Sequence, residues 1–314
     1  MPIVSEGLVH SQDSKFRMWF IAARPWSYTA AFVPVALGAV MAWKGNCPTS
    51  HQLLLFVLTL LGGVCLQGAA NFLNTYGDFV SGVDSKDHAS CPHLVQGLVS
   101  PRAIRNAGIA SLILGVLFGI YPVFCGGIPV LICGAIGVIG ASCYTTGYYP
   151  FKYIGLGSVF VFFLMGSLMV IPSWYIQMEG DHLMPWVPFL GSLPVSCLVM
   201  AIMHGNEMRD IESDRNAGIV TFAMRLGLRR AIILYKVLFI GAYLLIVLLI
   251  LIGIFNIGAL LPFVIYPIVH KQLSRLSMNT APVTMQWLAK QTGKLHFLFG
   301  TLLVVGLIVG NLIR

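Results

Sequence analysis

Charged side chains are scarce in this sequence. Asp, Glu, Lys and Arg together account for 10% of the 314 residues and hydrophobic residues for 57%, whereas soluble domains carry about 25% charged residues. This composition excludes a water-soluble globule and indicates an integral membrane protein. Apolar runs of about 20 residues recur along the chain, and each is long enough to cross a ~30 Å hydrocarbon core as a helix. They exclude a single anchored domain and an outer-membrane barrel.

Several signatures of soluble enzymes are missing as well. The chain has no G-x-x-x-x-G-K-[ST], no G-x-S-x-G and no H-E-x-x-H, and Gly155-Leu-Gly157 lacks the third glycine of a dinucleotide fold. The D-G-x-x-A-R element of the phosphatidyl-alcohol transferases is absent around Asp210. The seven cysteines are scattered without a C-x-x-C pair, which indicates small buried residues and not disulfides or a metal cluster.

Nine apolar runs are candidate transmembrane helices. They predict an all-α membrane protein that forms a single transmembrane domain over residues 1–314, with residues 1–16 as a polar cytoplasmic tail. The first fifteen residues lack the basic start and apolar run of a signal peptide, so we expect no cleavage. The nine runs lie at roughly 27–43, 52–76, 104–121, 126–146, 155–177, 186–205, 231–253, 256–270 and 294–313.

Basic residues fall almost entirely on one side of the predicted bundle. Seventeen of the 19 Lys and Arg residues lie before span one or in the connections after spans two, four, six and eight, and only Lys44 and Arg314 lie on the other side. The positive-inside rule then places the N-terminus in the cytoplasm and the C-terminus outside, and we expect a plasma-membrane protein. Because topology explains the net charge of +8, no nucleic-acid partner is expected.

The acidic residues are concentrated in two connections on the predicted cytoplasmic face. Carboxylates contribute little to topology and are costly within a span, so their concentration at two helix ends indicates a function there. The alternative is a pair of solvated loops. Seven of the eleven acidic residues follow spans two and six: Asp78, Asp84, Asp87, Glu207, Asp210, Glu212 and Asp214.

The first acidic motif occupies residues 71–84. Asn71, Asn74 and Asp78 are spaced i, i+3 and i+7, so they share one stripe of a helix. Gly82 allows the chain to unwind and to bring Asp84 back to the same place. In the second motif Asn206, Asp210 and Asp214 are spaced i, i+4 and i+8 and form a single polar row.

Oxygen ligands of this kind suit Mg²⁺, which takes one or two carboxylates together with phosphate oxygens and water. Four carboxylates, those of Asp78, Asp84, Asp210 and Asp214, match about two divalent ions, as in two-metal phosphoryl sites. The predicted ligand is diphosphate, which would also require nearby cations. Five basic residues are available on that face: Arg24, Lys86, Lys152, Arg209 and Arg215.

At these residues the chain resembles the UbiA superfamily of intramembrane prenyltransferases, whose members have nine helices and two Asp-rich motifs after helices two and six. Within that superfamily it is most similar to the 1,4-dihydroxy-2-naphthoate prenyltransferases of menaquinone synthesis. The stretches that carry the resemblance are Arg24-Pro25, Asn74-Thr-Tyr-Gly-Asp78, Gly82-Val-Asp84, Gly97-Leu-Val-Ser-Pro101, Tyr144-Thr145, Lys152-Tyr-Ile-Gly-Leu-Gly157, Ser173-Trp-Tyr-Ile-Gln177, Arg209-Asp-Ile-Glu-Ser-Asp214-Arg215 and Arg225-Leu-Gly227.

The resemblance implies nine transmembrane helices around a central cavity that is capped on the cytoplasmic side and open sideways to the lipid bilayer. It also implies Mg²⁺-assisted loss of diphosphate from a polyprenyl diphosphate, with Mn²⁺ able to substitute, followed by attack of an electron-rich aromatic acceptor on the allylic cation. In the naphthoate branch the acceptor also loses CO₂. The aromatic faces of Tyr28, Tyr76, Tyr144 and Trp174 are candidates for sheltering the cation, with packing as the alternative for each.

Two departures from the family pattern concern the acceptor. Ser158 stands where an aspartate usually follows Gly-Leu-Gly, and residues 87–93 lack an expected arginine. The acceptor alternatives are therefore 4-hydroxybenzoate and homogentisate. A secondary transporter is the rival from another class, because helices one to four and five to eight could be repeats, although transporter sites usually lie near the bilayer midplane. A catalytically silent scaffold is a further alternative.

Overall fold

A computed structural model describes residues 15–44, 46–83, 91–144, 152, 154–178, 186–278 and 280–313. All regular structure in these ranges is helical. The α-helices are α1 Lys15–Ala23, α2 Thr29–Trp43, α3 Ser50–Val80, α4 Pro92–Val95, α5 Pro101–Cys143, α6 Gly157–Val161, α7 Leu168–Tyr175, α8 Trp186–Arg209, α9 Ile211–Asn216, α10 Phe222–Leu226, α11 Leu228–Leu251, α12 Tyr266–Arg275 and α13 Leu288–Leu312. A π-helical turn, Phe162–Ser167, joins α6 to α7, and 3₁₀ segments cover Pro25–Ser27, Ile257–Ile265 and Pro282–Met285.

The described ranges contain eight helical segments that are long and apolar enough to cross a membrane. One of them, α5, has 43 residues and would extend about 65 Å at 1.5 Å per residue, twice the thickness of a hydrocarbon core. Its backbone leaves helical geometry at Gly127, where φ is 63° and ψ is −150°. Predicted spans three and four are therefore joined in one segment that breaks at Gly127, and the nine predicted spans correspond to eight continuous segments.

Helix α8 lies at the centre of the bundle, where it packs against α2, α6, α11 and α13. The largest side chains that are fully buried, among them Tyr235, Phe239 and Phe299, fill the space between these helices. Helices α3 and α5 pack along each other at the periphery. Their outer faces expose large apolar side chains such as Phe124, as expected of surfaces that contact lipid.

Helices α3 and α8 both end at the same end of the bundle, which we call the motif end because each acidic motif lies there. At the opposite end two glutamines, Gln52 and Gln177, hydrogen-bond to each other's backbone. The amide of Gln52 donates to the carbonyl of Gln177 at 2.9 Å, and the amide of Gln177 donates to the carbonyl of Gln52 at 3.0 Å. The indole nitrogen of Trp43 donates to Gln177 Oε1 at 3.0 Å. These bonds join α2, α3 and the end of α7.

Candidate functional site

A turn between α1 and α2 brings the first basic residue to the motif end. The amide of Asn71 on α3 donates to the carbonyl of Ala23 and to the hydroxyl of Ser27, both at 2.8 Å. Between these two residues Arg24 takes a left-handed conformation with φ 51°, which is uncommon for a non-glycine residue. Its guanidinium donates to Thr75 Oγ1 at 3.2 Å, one turn before Asp78. Asn71 therefore anchors the turn that carries Arg24.

Asp78 and Lys152 form a two-pronged ion pair. The ammonium of Lys152 lies 2.6 Å from Oδ1 and 2.8 Å from Oδ2 of Asp78, and the two side chains are 16% and 5% exposed. Burial alone would lower the pKa of Lys152, but the charge and hydrogen bonds of Asp78, aided by Asp214, outweigh it and raise the pKa. Lys152 is therefore a cation held against the first acidic motif.

The second acidic motif carries a similar pair. The guanidinium of Arg209 donates to both carboxylate oxygens of Asp210, each at 2.6 Å. Asp214, one turn further along, is buried. Burial raises the pKa of Asp214 to about 7, Lys152 opposes that shift, and the negative charges of Asp210 and Asp78 add to it. Asp214 of the second motif therefore lies close enough to Asp78 and Lys152 to interact with them electrostatically, and the two motifs belong to one charged region.

The chemistry of the donor set fits Mg²⁺. The site contributes carboxylate oxygens from Asp78, Asp210 and Asp214. Asn74 is buried, and its side-chain amide makes no hydrogen bond to another described residue. No three carboxylate, imidazole or thiol groups among the described residues converge into a cage for a metal. Mg²⁺ does not require such a cage, because it usually binds through one or two carboxylates together with phosphate oxygens and retained water.

For three predicted residues of the charged site, the described part of the structure shows no ion pair with Asp78, Asp210 or Asp214. Asp84 and Lys86 lie outside the described residues. Arg215 is exposed and lines a cavity of about 210 Å³ with Glu212, between α9, the α10–α11 turn and Pro282. No described ion pair or hydrogen bond connects Arg215 to the aspartates. Asn206 is half-buried beside Glu207 and makes no side-chain hydrogen bond to another described residue.

Two of the predicted acceptor-site residues lie beside the carboxylates. Tyr144 is buried, and its hydroxyl donates to the sulfur of Met203 at 3.1 Å. Burial raises the pKa of Tyr144, and the charges of Glu207, Asp78 and Asp214 raise it further. Ser158 is fully buried, and its hydroxyl has no hydrogen-bond partner among the described residues.

The other three aromatic candidates lie elsewhere. Tyr28 is half-buried, with its hydroxyl 3.3 Å from the position of a Cβ at Gly68, and Gly68 lies about 15 Å along α3 from Asp78. Tyr76 packs against the apolar cluster around Cys91 and Ile104. Trp174 is buried in α7 next to Gly38, about 25 Å along the helical segment from Gly157.

The spacing of the second motif assigns no role to Glu207, which lies between Asn206 and Asp210 in the sequence. It is buried and accepts hydrogen bonds from the backbone nitrogens of Ser158 and Ala223, both at 3.1 Å. The available signal in the sequence is a carboxylate directly after an apolar run and off the Asn206–Asp210 row, because such a group requires partners where it is buried.

Comparison with known proteins shows similarity along nearly the whole chain. The sequence profile of the UbiA prenyltransferase family matches residues 31–280. The chain is 31% identical over 304 residues to UbiA prenyltransferase domain-containing protein 1 of Xenopus tropicalis, covering 95% of this chain and 84% of that protein. It is 31% identical over 304 residues to the 1,4-dihydroxy-2-naphthoate octaprenyltransferase of Bacillus subtilis strain 168, covering 95% and 94%. A solved structure of a UbiA homologue from Archaeoglobus fulgidus bound to GPP and Mg²⁺ superposes with a TM-score of 0.54 at 18% identity, covering 92% of this chain and 99% of that one.

Proposed function

Because the chain belongs to the UbiA prenyltransferase family, we propose that it transfers a polyprenyl group from an allylic polyprenyl diphosphate to an aromatic acceptor within the membrane. The observation that carries this proposal is the convergence of two acidic motifs and their cations at one end of a multi-pass helical bundle. Asp78 pairs with Lys152, Asp210 pairs with Arg209, and Asp214 interacts with both motifs.

The proposed reaction requires a divalent metal ion at the two acidic motifs. Asp78, Asp84, Asp210 and Asp214 would hold Mg²⁺, two ions with Mn²⁺ as a possible substitute, and Asn74 and Asn206 would supply further oxygens. Bound Mg²⁺ would stabilise the negative charge that develops on a leaving diphosphate. The UbiA homologue from Archaeoglobus fulgidus was solved with GPP and Mg²⁺ bound, which supports this ligand class for the fold.

The cations of the site are assigned to the diphosphate. Lys152 and Arg209 already lie at the carboxylates, so a diphosphate that approaches these carboxylates comes within reach of both donors. Arg24 supplies a third donor from the α1–α2 turn, while Lys86 and Arg215 complete the proposed set. The allylic C–O bond then breaks, and its electron pair leaves with the diphosphate.

Tyr144 is the aromatic residue best placed to face the resulting allylic cation, because it lies near Asp78 and Asp214 and is shielded from water. Tyr28 and Trp174 are proposed as lining residues farther along the bundle, and Tyr76 as a lining residue at the motif end, on the side of α3 that packs against the cluster around Cys91. The acceptor ring forms the new C–C bond with its own electrons. When a ring carboxylate leaves as CO₂, the electron pair of the broken bond stays on the ring.

We infer that the acceptor is 1,4-dihydroxy-2-naphthoate, which places the protein in menaquinone synthesis. The named function of the Bacillus subtilis relative supports this acceptor, as do the sequence stretches shared with the naphthoate branch. Other acceptors of the family, 4-hydroxybenzoate and homogentisate, are the second candidates, because Ser158 departs from the family pattern. Family membership leaves the transporter without support.

The proposed setting is the plasma membrane. We propose that residues 1–314 form one transmembrane domain, that the motif end faces the cytoplasm and that the C-terminus lies outside. The 17 to 2 distribution of basic residues supports this orientation.

The decisive experiment is turnover by the purified protein in lipid nanodiscs. Allylic diphosphates from C5 to C40 are combined with 1,4-dihydroxy-2-naphthoate, 4-hydroxybenzoate and homogentisate, with Mg²⁺ or with excess chelator. We expect Mg²⁺-dependent release of diphosphate and a prenylated, decarboxylated naphthalenediol. Product with only one of the other acceptors would reassign the branch. A complete lack of donor consumption would refute the enzymatic function and favour a scaffold.

A further inference from the structure

One buried carboxylate at the motif end belongs to neither row of proposed metal ligands. Glu207 is 3% exposed and follows Asn206, so at about 100° per residue it points about 100° around the helix from Asn206 and about 60° from Asp210. An ionisable group inside an apolar span is costly unless it has partners. The partners of Glu207 therefore indicate what it does.

Both carboxylate oxygens of Glu207 accept hydrogen bonds from the beginnings of other helices. Oε1 accepts from the nitrogen of Ser158 in the first turn of α6, and Oε2 accepts from the nitrogen of Ala223 in the first turn of α10, each at 3.1 Å. Backbone N–H groups in a first turn have no partner within their own helix, and a negative charge there is favourable. One carboxylate thus joins α6, α8 and α10.

A second contact ties α10 to the segment that leads into α6. The guanidinium of Arg225 donates to the carbonyl of Ile154 at 2.9 Å. Gly155 has φ +72°, and a Cβ at this position would overlap Arg225 Nε. The backbone therefore follows the Arg225 side chain so closely that only glycine fits. The segment is held at two points, by Glu207 and by Arg225.

This same segment carries Lys152. A Cβ at Gly157 would lie 3.2 Å from Glu207 Oε1 and 3.4 Å from the Cα of Lys152. The Glu207 carboxylate and the backbone of Lys152 therefore both lie beside Gly157, and Lys152 reaches Asp78 from this place. A movement of this backbone would move the ammonium away from the carboxylate that it contacts at 2.6 Å.

We propose that Glu207 is a positioning residue: its carboxylate holds the segment that carries Lys152 and Ser158 against α8, and so sets the place from which Lys152 binds the diphosphate of the donor. The inference rests on the proposed function for its kinetic readout. Glu207 acts through Lys152 and does not itself touch the substrate.

The test is a double-mutant cycle of Glu207→Gln and Lys152→Met. A glutamine has one acceptor oxygen, so its amide NH₂ would face a backbone N–H. We expect Glu207→Gln to raise the donor KM about tenfold, while kcat per folded protein changes less than about threefold. If Glu207 acts through Lys152, adding Glu207→Gln to Lys152→Met should raise the donor KM no further.

Glu212→Gln is the matched control, because Glu212 is an exposed carboxylate on the same connection, and it should leave the donor KM unchanged. If Glu207→Gln does not purify as a folded protein, Arg225→Gln replaces it in the cycle, with exposed Arg229→Gln as its control. A donor KM equal to that of wild type, or additive effects in the cycle, would overturn the proposal.

The inference can fail separately from the proposed function. The affinity of the wild type, the two single variants and the double variant for inorganic diphosphate can be measured by calorimetry in the presence of Mg²⁺. This measurement gives the same double-mutant cycle without turnover. If the wild type consumes no donor, the enzymatic function fails, and the binding cycle still decides whether Glu207 acts through Lys152. Non-additive loss of diphosphate affinity supports the inference, and independent losses refute it.

Adding a carboxylate next to Glu207 provides a second test. The Ser158 side chain is fully buried, and its own backbone nitrogen contacts Glu207. Ser158→Asp would place a second negative charge beside the first, away from water, so it should lower the thermal unfolding midpoint. In the Glu207→Gln background only one carboxylate remains, and the same substitution should be tolerated. An equal effect of Ser158→Asp in both backgrounds would contradict the assigned place of Glu207.

Discussion

Replacing Lys152 by methionine should have opposite effects on metal binding and on donor binding. The substitution keeps most of the side-chain volume and removes an ammonium that lies 2.6 and 2.8 Å from the Asp78 oxygens. Removing one partner of a buried ion pair costs about 3–5 kcal/mol. Because Lys152 is 16% exposed, we expect the lower end of that range, about 3 kcal/mol.

That loss has a measurable thermal equivalent. At roughly 2 °C per kcal/mol for a chain of this size, the unfolding midpoint without divalent ions should fall by about 6 °C. Addition of divalent ions should then raise the unfolding midpoint more in the variant than in the wild type, because in the variant Mg²⁺ no longer competes with the ammonium for Asp78. We expect the affinity for Mg²⁺ to rise at least tenfold, which corresponds to about 1.4 kcal/mol.

Donor binding should change in the other direction, since the diphosphate loses one of its cations. The assays are thermal unfolding across a Mg²⁺ titration, followed by donor KM at saturating Mg²⁺. Lys271→Met serves as the control, because Lys271 is exposed on α12. Weaker Mg²⁺ binding together with weaker donor binding would show that Lys152 supports the metal, and it would refute the competition that we infer.

Three further predictions concern the metal ligands and the orientation of the bundle in the membrane. Asp210→Asn should abolish Mg²⁺-dependent turnover while the protein still elutes as a folded species, and near-normal turnover would remove Asp210 from the metal set. Because the pKa of Asp214 is raised to about 7, a proton competes with Mg²⁺ below that pH, and Mg²⁺ affinity should fall up to about tenfold per pH unit below 7; an unchanged affinity from pH 8 to pH 5.5 would contradict this role. Exposed Cys47 should react with an impermeant thiol reagent only from outside the cell, and an introduced Glu212→Cys only from the cytoplasm. The cytoplasmic side needs an introduced cysteine because the native Cys91 is buried and would not react with the reagent.

Much of the fold follows from the sequence because bilayer thickness fixes the length of an apolar helix. The predicted runs 52–76 and 186–205 lie inside α3 and α8. The connection predicted between spans three and four is different. The chain stays helical through Pro122 and turns at Gly127 without a separate loop. Composition locates the apolar runs but does not specify whether a Gly-Pro region breaks a helix or ends it.

Helical spacing explains which of the predicted site residues lie together in the structure. The intervals of three and four residues in the two polar motifs predict Asp78 and Asp214 as site residues. In the structure the two carboxylates lie close enough for the charge of Asp78 to raise the pKa of Asp214. Tyr76 lies two residues before Asp78, about 200° around α3, and it packs on the other side against the cluster around Cys91. The partner of Asp78 could not be identified from spacing, because Lys152 is 74 residues away in the sequence.

The charges of the described site are nearly balanced, and this constrains how a donor can enter. Asp78, Asp210 and Asp214 contribute negative charge, while Lys152, Arg209 and Arg24 contribute positive charge. A diphosphate alone would add several negative charges to a site with no net positive charge, and in surroundings of low dielectric constant that repulsion is large. A diphosphate that carries divalent ions would add little net charge; Asp78, Asp210 and Asp214 would hold the ions, and Lys152 and Arg209 would bind the phosphate oxygens. Donor and metal are therefore expected to bind together, because among the described residues of the site the cations are equalled in number by the aspartates.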